Sequence, residues 1–509
     1  MAGLVLMRRA KIAFVIGAVI IFLPAILFYF DYIRVEIVYD GETTVNLLLA
    51  PEVEPTKTKI LLPSPPSTLP CPVADKLSST QPAAKDSELA TLTDFNFNRE
   101  YLKALGMERA SSTVKSLDCL LGAGAHQPDL LAYRNTGHYI KTVVYDDRFN
   151  ATLALFVQNG IKMYSCQFFD KDHQFMTRSA GLFFKGVYAN MRLLYCPVQN
   201  ESVIPAFIQV LPENTTLHMM GKLQMPLIPV RRLPRLPVEQ IPDDFAVCLC
   251  PVFGFDSKWL SLVQFLEFYL LQGASRIYIY WFFGDEHLKP IVQHYLDKGV
   301  AEVVPWPGPQ VCTGFHNLQS TLCQEAMVND CILRTAYKHR YVALIDLDEL
   351  MHPLNGEQLL SFIRSVDAQR NFCSVNFKPR LFVRDSWDPL MENVSLDSVA
   401  DHLTLTAVVN GSAPSPANHL PKAIVKPDMV QAMFIHHYVG KVGNCSGYYA
   451  VPQDIGYFRH FRQKKNWRAY NSTLLWGNYT VQRAPDNLTT PLVDRVRQAL
   501  QAMKLSLKR

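Results

Sequence analysis

The stretch YVALIDLDEL, residues 341–350, begins with apolar residues typical of a buried strand and ends in acidic ones. Asp346 and Asp348 lie two positions apart where the apolar run ends, and Glu349 follows directly. Carboxylates at the end of a hydrophobic strand lose hydration, which costs free energy unless a partner compensates for it. The stretch therefore requires a divalent metal ion, a network of arginines, or water at the strand terminus.

This strand is the last of an alternating series of strands and helices. FAVCLCPVF, RIYIYWFF and AEVVPW have the composition of strands, and helical segments separate them. The first two helices are predicted to end at Gly273 and Gly299, because glycine is the usual stop at a helix C-terminus. The series predicts an α/β fold with a Rossmann-type parallel sheet, whose ligands bind beyond the carboxyl ends of the strands. Asp346 and Asp348 lie at such an end.

Upstream of this series, residues 133–235 predict a second, smaller domain. Short stretches rich in β-branched and aromatic residues, such as YIKTVVYD and KMYSCQFF, alternate with turn residues. This rhythm is typical of a β-rich, sandwich-like domain. RRLPRLPVEQIPDD follows as a predicted linker, because its three prolines oppose regular structure.

The N-terminal part of the chain predicts a membrane anchor. Ile12–Phe30 is an unbroken apolar run of 19 residues, long enough to cross a bilayer as a helix. Basic residues precede it and an aspartate follows, so the short N-terminus is expected to be cytoplasmic; a cleaved signal peptide is the alternative. The predicted segments are a cytoplasmic tail at 1–11, the anchor at 12–30, a Pro/Ser/Thr-rich stem at 31–90, the β-rich luminal domain with its linker at 91–240 and the α/β domain at 241–509.

Two further features favour a location in the secretory lumen. Nine Asn-x-Ser/Thr sequons follow the apolar run, as expected for exposed luminal loops. Eleven cysteines are scattered along the chain without paired CxxC motifs, which argues against a structural zinc site and for disulfides. Their pairing cannot be read from the sequence, and the odd number leaves at least one cysteine free or intermolecular.

The pair of aspartates predicts a divalent cation. Side chains at i and i+2 can both reach one ion if the backbone turns between them, and their hard oxygens suit Mg²⁺ or Mn²⁺. The alternative is a solvated pair that caps the following turn. Glu349 is predicted to point away from the ion if the strand stays regular, because neighbouring side chains alternate between the two faces.

Residues 245 to about 465 resemble glycosyltransferase family 92, whose members were once grouped under a domain of unknown function. The resemblance is carried, in the family's order, by LVQFLEFYLLQGASRIYIY, CQEAMVNDCILRTAYKHRYVALIDLDEL, KAIVKPDMVQAMFIHHYVG and FRHFR. It implies a GT-A fold, a UDP-sugar as the nucleotide-sugar donor and a divalent metal ion, Mn²⁺ or Mg²⁺. It also implies inverting transfer of galactose from UDP-galactose to a glycan acceptor.

The resemblance also implies roles for single residues. Asp346 and Asp348 match the family's Asp-x-Asp motif and are the candidate ligands of the metal and its diphosphate. His460 matches a histidine that could complete the metal shell through a neutral ring nitrogen. An ordinary core or surface histidine is the alternative.

Three more matched positions are candidates for donor binding. Arg462 could contact phosphate, and Lys422 lies in a stretch that is basic in the family. Asp330, on the third predicted helix, could serve the donor pocket or simply bond to nearby backbone.

The chain departs from the family's pattern in two places. Trp281 stands where relatives often carry an aspartate, and we interpret the aromatic run YIYWFF as sheet core. An inverting reaction also needs a carboxylate base near the acceptor hydroxyl. Asp385, Asp388 and Glu392 are the candidates, with Asp385 preferred because it follows an apparent strand; a solvated loop charge is the alternative for each.

We therefore expect a single-pass type II protein of the Golgi membrane whose luminal domain transfers a hexose, galactose first, to a glycan on a glycoprotein or glycolipid. The net charge of +5 forms no basic block and gives nucleic-acid binding no support. The first alternative is a glycan-binding membrane protein that retains the fold without catalysis. The second is an anchored adhesion protein without nucleotide binding.

Overall fold

The structure is a computed structural model. It describes residues 131–133, 138–157, 164–183, 191–198, 204–212, 227–233, 236–242, 244–252, 258–281, 286–306, 319–384, 388–407, 409–413, 415, 420–463, 480–503 and 505. All of them belong to one compact unit, Ser78–Arg509. The predicted tail, anchor and stem lie outside the described residues. No helix in the described ranges is long and apolar enough to cross a membrane.

The first described part of the chain is a single nine-stranded sheet. Its strands are β1 (Leu131–Tyr133), β2 (His138–Asp146), β3 (Ala151–Val157), β4 (Tyr164–Phe169), β5 (Phe175–Phe183), β6 (Met191–Pro197), β7 (Phe207–Pro212), β8 (Ile228–Pro229) and β9 (Arg231–Leu233). They follow the order β1-β2-β3-β6-β5-β4-β7-β8, with β9 parallel to β2. The predicted β-rich character of this part of the chain is therefore confirmed, and its division into a separate domain stays a prediction.

The expectation of a sandwich-like arrangement was wrong, because the strands do not form two separate sheets. β5 pairs with β4 and also with β6, so the strands form one continuous sheet. The sheet curls around a core to which β2, β4, β6 and β7 all contribute buried side chains. A disulfide between Cys166 and Cys196 joins β4 to β6 across this core. Curling lets a single sheet bury one of its faces, which a sandwich achieves with two sheets.

The second part of the chain opens with the predicted strand–helix series. It comprises β10 (Phe245–Val252), α1 (Trp259–Leu271), β11 (Ala274–Trp281), α2 (Leu288–Asp297), β12 (Ala301–Pro305), α3 (Gln319–Thr335) and β13 (Tyr341–Ile345). The four strands are parallel, in the order β12-β11-β10-β13. α1 and α2 end just before Gly273 and Gly299, which both adopt positive φ. The predicted parallel α/β arrangement is confirmed.

Further strands, most of them paired antiparallel, then extend this sheet and build a second one; the β15–β21 and β16–β22 pairs are parallel. The later elements are β14 (Glu349–Pro353), α4 (Leu359–Arg370), β15 (Ser374–Phe377), β16 (Pro379–Arg384), α5 (Val399–His402), β17 (Val409–Gly411), β18 (Lys422–Val425), β19 (Val430–Met433), β20 (Tyr438–Lys441), β21 (Tyr448–Ala450), β22 (Gly456–Gln463), β23 (Thr480–Gln482) and α6 (Asp486–Met503). β18, β15 and β21 follow β13 in the first sheet, and the second has the order β14-β22-β16-β17-β23. β19 and β20 form a hairpin.

Three disulfides join elements within the described residues. Besides Cys166–Cys196, Cys248 of β10 is bonded to Cys331 of α3, and Cys373 is bonded to Cys445. Cys250 is a buried free thiol. The aromatic run on β11 is buried, as predicted, with Tyr278, Tyr280 and Trp281 at most 5% exposed.

Helix α3 connects the two parts of the molecule. Its buried residues, including Met327 and Ile332, share one apolar core with Leu153 of β3 and Leu193 of β6. Because this core contains side chains from the β-rich sheet and from the parallel sheet, the two parts pack as one body.

Candidate active site

The site lies where β13 ends and the chain crosses into the second sheet. The chain turns over residues 346–348, and the Glu349 N–H donates to the Asp346 carbonyl at 3.1 Å. β14 then begins at Glu349, which pairs with His460 of β22. Tyr269 of α1 fixes this new strand, since its hydroxyl donates to the Glu349 carbonyl and accepts from the Met351 N–H.

The side chains of Asp348, Glu349 and His460 converge at this turn. His460 Nε2 lies 3.5 Å from Asp348 Oδ2 and 3.8 Å from Glu349 Oε1. One ligand atom from each of the three residues falls within 4.8 Å of the other two. His460 Nε2 is buried, and within the described chain it has no hydrogen-bond partner. An imidazole nitrogen and two carboxylate oxygens are donors that Mn²⁺ accepts, so these residues fit a divalent ion.

Lys422 of β18 provides a cation beside the same turn. Its ammonium group donates to Asp346 Oδ2 at 2.8 Å and lies 3.1 Å from Glu349 Oε2. The second Asp346 oxygen accepts a hydrogen bond from the Gln324 amide of α3. Both Asp346 oxygens are therefore occupied by protein donors, and Asp346 lies outside the trio of Asp348, Glu349 and His460.

The charges of the site set the protonation of the trio. Burial acts to raise the pKa of Asp348, but the positive charge of Arg462 and the neighbouring His460 ring lower it below its ordinary value. Arg462 contributes from 3.7 Å. Burial, together with the neighbouring Arg462 charge, lowers the pKa of His460 and keeps the imidazole neutral, which is the form that binds metals.

Glu349 differs from Asp348 in its protonation. Burial, with the negative charges of Asp346 and Asp348, raises the pKa of Glu349 to about 8 despite the nearby ammonium group. The pKa of Lys422 is raised because Asp346 and Glu349 outweigh the opposite effect of burial. A bound cation would favour the ionised carboxylate, because metal ligands bind in their deprotonated form.

The predicted position of Glu349 was wrong. The expectation assumed a strand that continues through the acidic residues, but β13 ends at Ile345 and β14 starts a new sheet. The turn brings Glu349 beside His460 instead of onto the opposite face. The sequence did carry a signal for this turn, because it places three acidic residues within four positions. A regular strand directs neighbouring side chains to opposite faces, so it would bury at least one of these carboxyl groups away from the others.

Asp330 occupies a different environment from the trio. Its oxygens accept hydrogen bonds from Thr142 of β2 at 2.7 Å, from the Tyr280 hydroxyl at 2.7 Å and from Arg334 at 3.1 Å. The side chain is buried and joins the β-rich sheet to α3 and β11. This position gives Asp330 a structural role, and its contact with a donor stays a prediction.

The candidate bases are distributed differently. Asp385 lies outside the described residues, so its catalytic role stays a prediction. The Asp388 side chain is buried and accepts from the N–H and the hydroxyl of Ser261 in the first turn of α1, which makes it a partner of the helix N-terminus. Glu392 is exposed in a short 3₁₀ helix.

His436 is a neighbour of the site that the sequence analysis did not single out. Its Nδ1 lies 3.0 Å from the carbonyl of Pro421, the residue before Lys422. Burial, with the positive charge of Lys422, lowers its pKa to about 3. The ring is therefore neutral, with Nδ1–H donating to the carbonyl and Nε2 left as an acceptor.

A parallel sheet with an acidic cluster beyond the carboxyl ends of its strands is the arrangement of nucleotide-binding α/β domains. Comparison with known families is more specific: residues 243–492 match the model of glycosyltransferase family 92. This part of the chain therefore belongs to that family, and the predicted resemblance is confirmed.

Individual relatives are more distant. The β-1,4-galactosyltransferase galt-1 of Caenorhabditis elegans is 30% identical over 139 residues, which cover 25% of this chain and 30% of the relative. The chain thus spans about a third of the length of this curated relative. Among solved structures, S. aureus TarS in complex with UDP-GlcNAc is similar at 13% identity and a TM-score of 0.26, over 43% of this chain and 59% of that chain. A mycobacterial protein follows at 10% identity and a TM-score of 0.20, over 51% and 74%. Neither TM-score is high enough to define a shared fold.

Proposed function

We propose that this protein is a metal-dependent, inverting glycosyltransferase that transfers galactose from UDP-galactose to a glycan acceptor. The observation that carries the proposal is the trio of Asp348, Glu349 and His460, with a buried ring nitrogen that has no hydrogen-bond partner in the described chain. The family match supports glycosyl transfer. The name of the C. elegans relative supports galactose as the sugar.

The trio would hold the ion, and the chain's own cations would assist it. A bound divalent ion supplies charge neutralisation for the diphosphate that leaves when the glycosidic bond breaks. Arg462, whose side chain is 30% exposed, remains accessible enough to contact a phosphate oxygen. Lys422 is buried and holds Asp346 and Glu349 in place, so we assign it to positioning instead of direct donor contact. Asp385 remains our proposed base for the acceptor hydroxyl.

We also propose the setting of this activity. The apolar run Ile12–Phe30 would anchor the chain in the Golgi membrane with residues 31–509 in the lumen. The Cys248–Cys331 and Cys373–Cys445 bonds support this compartment, because disulfides persist in oxidising environments. The acceptor would be a glycan of a glycoprotein or glycolipid.

The test measures donor binding and transfer separately. The purified full chain in detergent should gain thermal stability with UDP only when Mn²⁺ is present, and it should release UDP from UDP-galactose. Asp348→Ala and His460→Gln should both abolish the Mn²⁺-dependent stabilisation and the UDP release. Asp494→Ala, which removes a carboxylate that is 60% exposed on α6, is the matched control. Unchanged UDP release in Asp348→Ala would refute the metal role.

One observation favours a second candidate, a glycan-binding protein without catalysis. Lys422 already provides a positive charge beside Asp346 and Glu349. A protein that binds no metal would need such an internal cation to compensate these carboxyl groups. This candidate predicts glycan binding with no Mn²⁺-dependent affinity for any UDP-sugar. A donor screen by thermal shift, with and without Mn²⁺, separates the two.

A further inference from the structure

The outward face of the β-rich sheet carries a row of three aromatic rings. Phe169 of β4 is paired with Phe175 of β5 on one side and with Phe207 of β7 on the other. Directly opposed residues of antiparallel strands point to the same face, and the adjacent Phe168 is fully buried on the opposite one. The three phenylalanines therefore form a row across three strands, roughly 10 Å long. Phe175 is 57% exposed.

A polar row lies directly beside the aromatic row. Gln167, two positions before Phe169, is paired with Arg178 of β5 and with Gln209 of β7. Residues two apart on a strand share a face, so Gln167 and Gln209 lie about 7 Å along their strands from Phe169 and Phe207. Arg178 is three positions from Phe175 because the β4–β5 pairing shifts register between Phe168 and Phe169, and its pairing with Gln167 places it in the same row. Two amides and a guanidinium group provide both donors and acceptors of hydrogen bonds.

The β4–β5 turn fixes one end of the aromatic row. Asp170 accepts hydrogen bonds from the backbone N–H groups of Asp172 and Gln174 at 2.9 and 2.8 Å. The turn places His173 edge-on to Phe207, with ring centroids 4.6 Å apart. Phe169 and Phe175 meet in a similar edge-to-face contact at 5.9 Å. The turn and these ring contacts thus position the three phenylalanines without any ligand.

The chemistry of the two rows matches a neutral sugar. The face of an aromatic ring is electrostatically negative, which complements the weakly positive C–H groups on the face of a pyranose. The amide and guanidinium groups suit the hydroxyls at the edge of the same sugar. The formal charges of the rows and the turn cancel, because Lys171 and Arg178 balance Asp170 and Asp172. A neutral glycan fits this balance better than an acidic or phosphorylated ligand.

We propose that this face, built from Phe169, Phe175, Phe207, Gln167, Arg178 and Gln209, binds a neutral glycan by stacking a pyranose ring on the phenylalanines. It would retain the acceptor glycan near the enzyme, and in that respect it rests on the proposed function. Binding itself requires neither the metal nor the donor. A protein partner on the same face is the competing occupant.

The test uses the purified full chain in EDTA without donor, so that the metal site makes no contribution. The probes are an array of neutral oligosaccharides terminating in galactose, N-acetylglucosamine, mannose or fucose, with sialylated forms for comparison. The wild type should bind one or more neutral probes, and Phe175→Ala should weaken that binding at least tenfold. Phe175→Tyr, which keeps the ring, should retain it.

Leu182→Ala is the matched control. Leu182 lies on β5, as Phe175 does, and is 52% exposed, but it is near the other end of that strand. The Leu182→Ala variant should bind the neutral probes as the wild type does. Absence of binding to all neutral probes, equal binding by Phe175→Ala, or a preference for sialylated probes would overturn the proposal, and the first of these would favour a protein partner.

The failure of this proposal and of the proposed function are distinguishable. Asp348→Ala should keep the glycan binding in EDTA, because the trio takes no part in it. Glycan binding without Mn²⁺-dependent UDP affinity would leave the glycan face standing and refute the enzyme. Mn²⁺-dependent transfer without a Phe175 effect would do the reverse.

Discussion

Lys422 is the cation that contacts two carboxyl groups of the acidic turn. Its ammonium group is buried, as is Glu349, and it contacts both Asp346 and Glu349. The opening sequence poses the choice between a metal, arginines and water as compensation for these carboxylates. The structure adds a lysine 76 residues away in sequence, with Arg462 beside Asp348.

Lys422→Met should lower the free energy of unfolding in metal-free buffer by about 3 kcal/mol, because it removes the buried cation that faces Glu349 and the partly exposed Asp346. Urea unfolding of the full chain in EDTA measures the change. Lys289→Met is the control, since the Lys289–Glu286 pair lies at the surface and its loss should cost less than about 1 kcal/mol. Equal losses in both variants would show that Lys422 does not stabilise the turn.

The candidate site was predictable only in part from these residues. Asp348 and His460 were both expected to reach one ion, and the structure brings them together at 3.5 Å. The neighbouring Glu349 was misplaced, because it begins a new strand, β14, that pairs with β22 more than a hundred residues later. Local alternation carries no information about such a distant strand.

At the scale of elements, β14 and β22 are joined by a buried pair of basic side chains. Arg459 of β22 donates through Nε to His352 Nε2 at 3.3 Å, and His352 Nδ1 donates to the Pro353 carbonyl at 2.9 Å. The imidazole must be neutral for Nε2 to accept this bond. Burial, with the adjacent Arg459 charge, lowers the pKa of His352 to about 4.

This pair predicts a loss of stability in acid. The pKa of His352 is lower in the folded chain than the ordinary value of about 6.5, so its contribution is complete above pH 6.5 and is lost as the pH falls toward 4. Between pH 7 and pH 5 the wild type should lose about 2 kcal/mol more than His352→Gln, which keeps an acceptor and cannot titrate.

Urea unfolding at the two pH values gives the comparison. His287→Gln, which changes an exposed histidine, serves as the control and should follow the wild type. A parallel pH dependence of His352→Gln and the wild type would refute the assignment.

Elements were predicted best where their signals are local. The parallel strands β10–β13 follow from apolar runs and from glycines directly after α1 and α2. The β-rich strands were recognised too, but whether they form one sheet or two depends on β5 pairing with both β4 and β6. That choice is made by contacts between distant segments, which composition does not encode.

At the scale of the whole molecule, Arg148 fastens the β-rich sheet to the family domain. Its guanidinium pairs with Asp146 at 2.6 Å, and Nη1 donates to the carbonyls of Pro427, Asp428 and Val430. Those carbonyls lie in and next to the loop between β18, which carries Lys422, and β19. The clamp therefore supports the strand that delivers the internal cation to the site.

Arg148→Met should lower the free energy of unfolding by about 3 kcal/mol or more, because it leaves Asp146 buried without a counter-charge. Arg232→Met is the matched control: Arg232 pairs with the next residue, Asp147, at 3.1 Å, but its side chain is 55% exposed, so the loss should stay below about 1 kcal/mol. Calorimetry should show one transition in both variants, because the two parts share a core. Two separate transitions in the wild type would contradict that shared core.

The position of Lys422 also affects the order of folding and metal binding. Because Lys422 and Arg462 neutralise the acidic turn, the polypeptide can finish folding before it meets an ion. Folding and the binding of the proposed ion are then two separate steps. If the activity depends on a metal as proposed, a cell short of that ion would accumulate a folded but inactive pool, which later supply would activate without new synthesis.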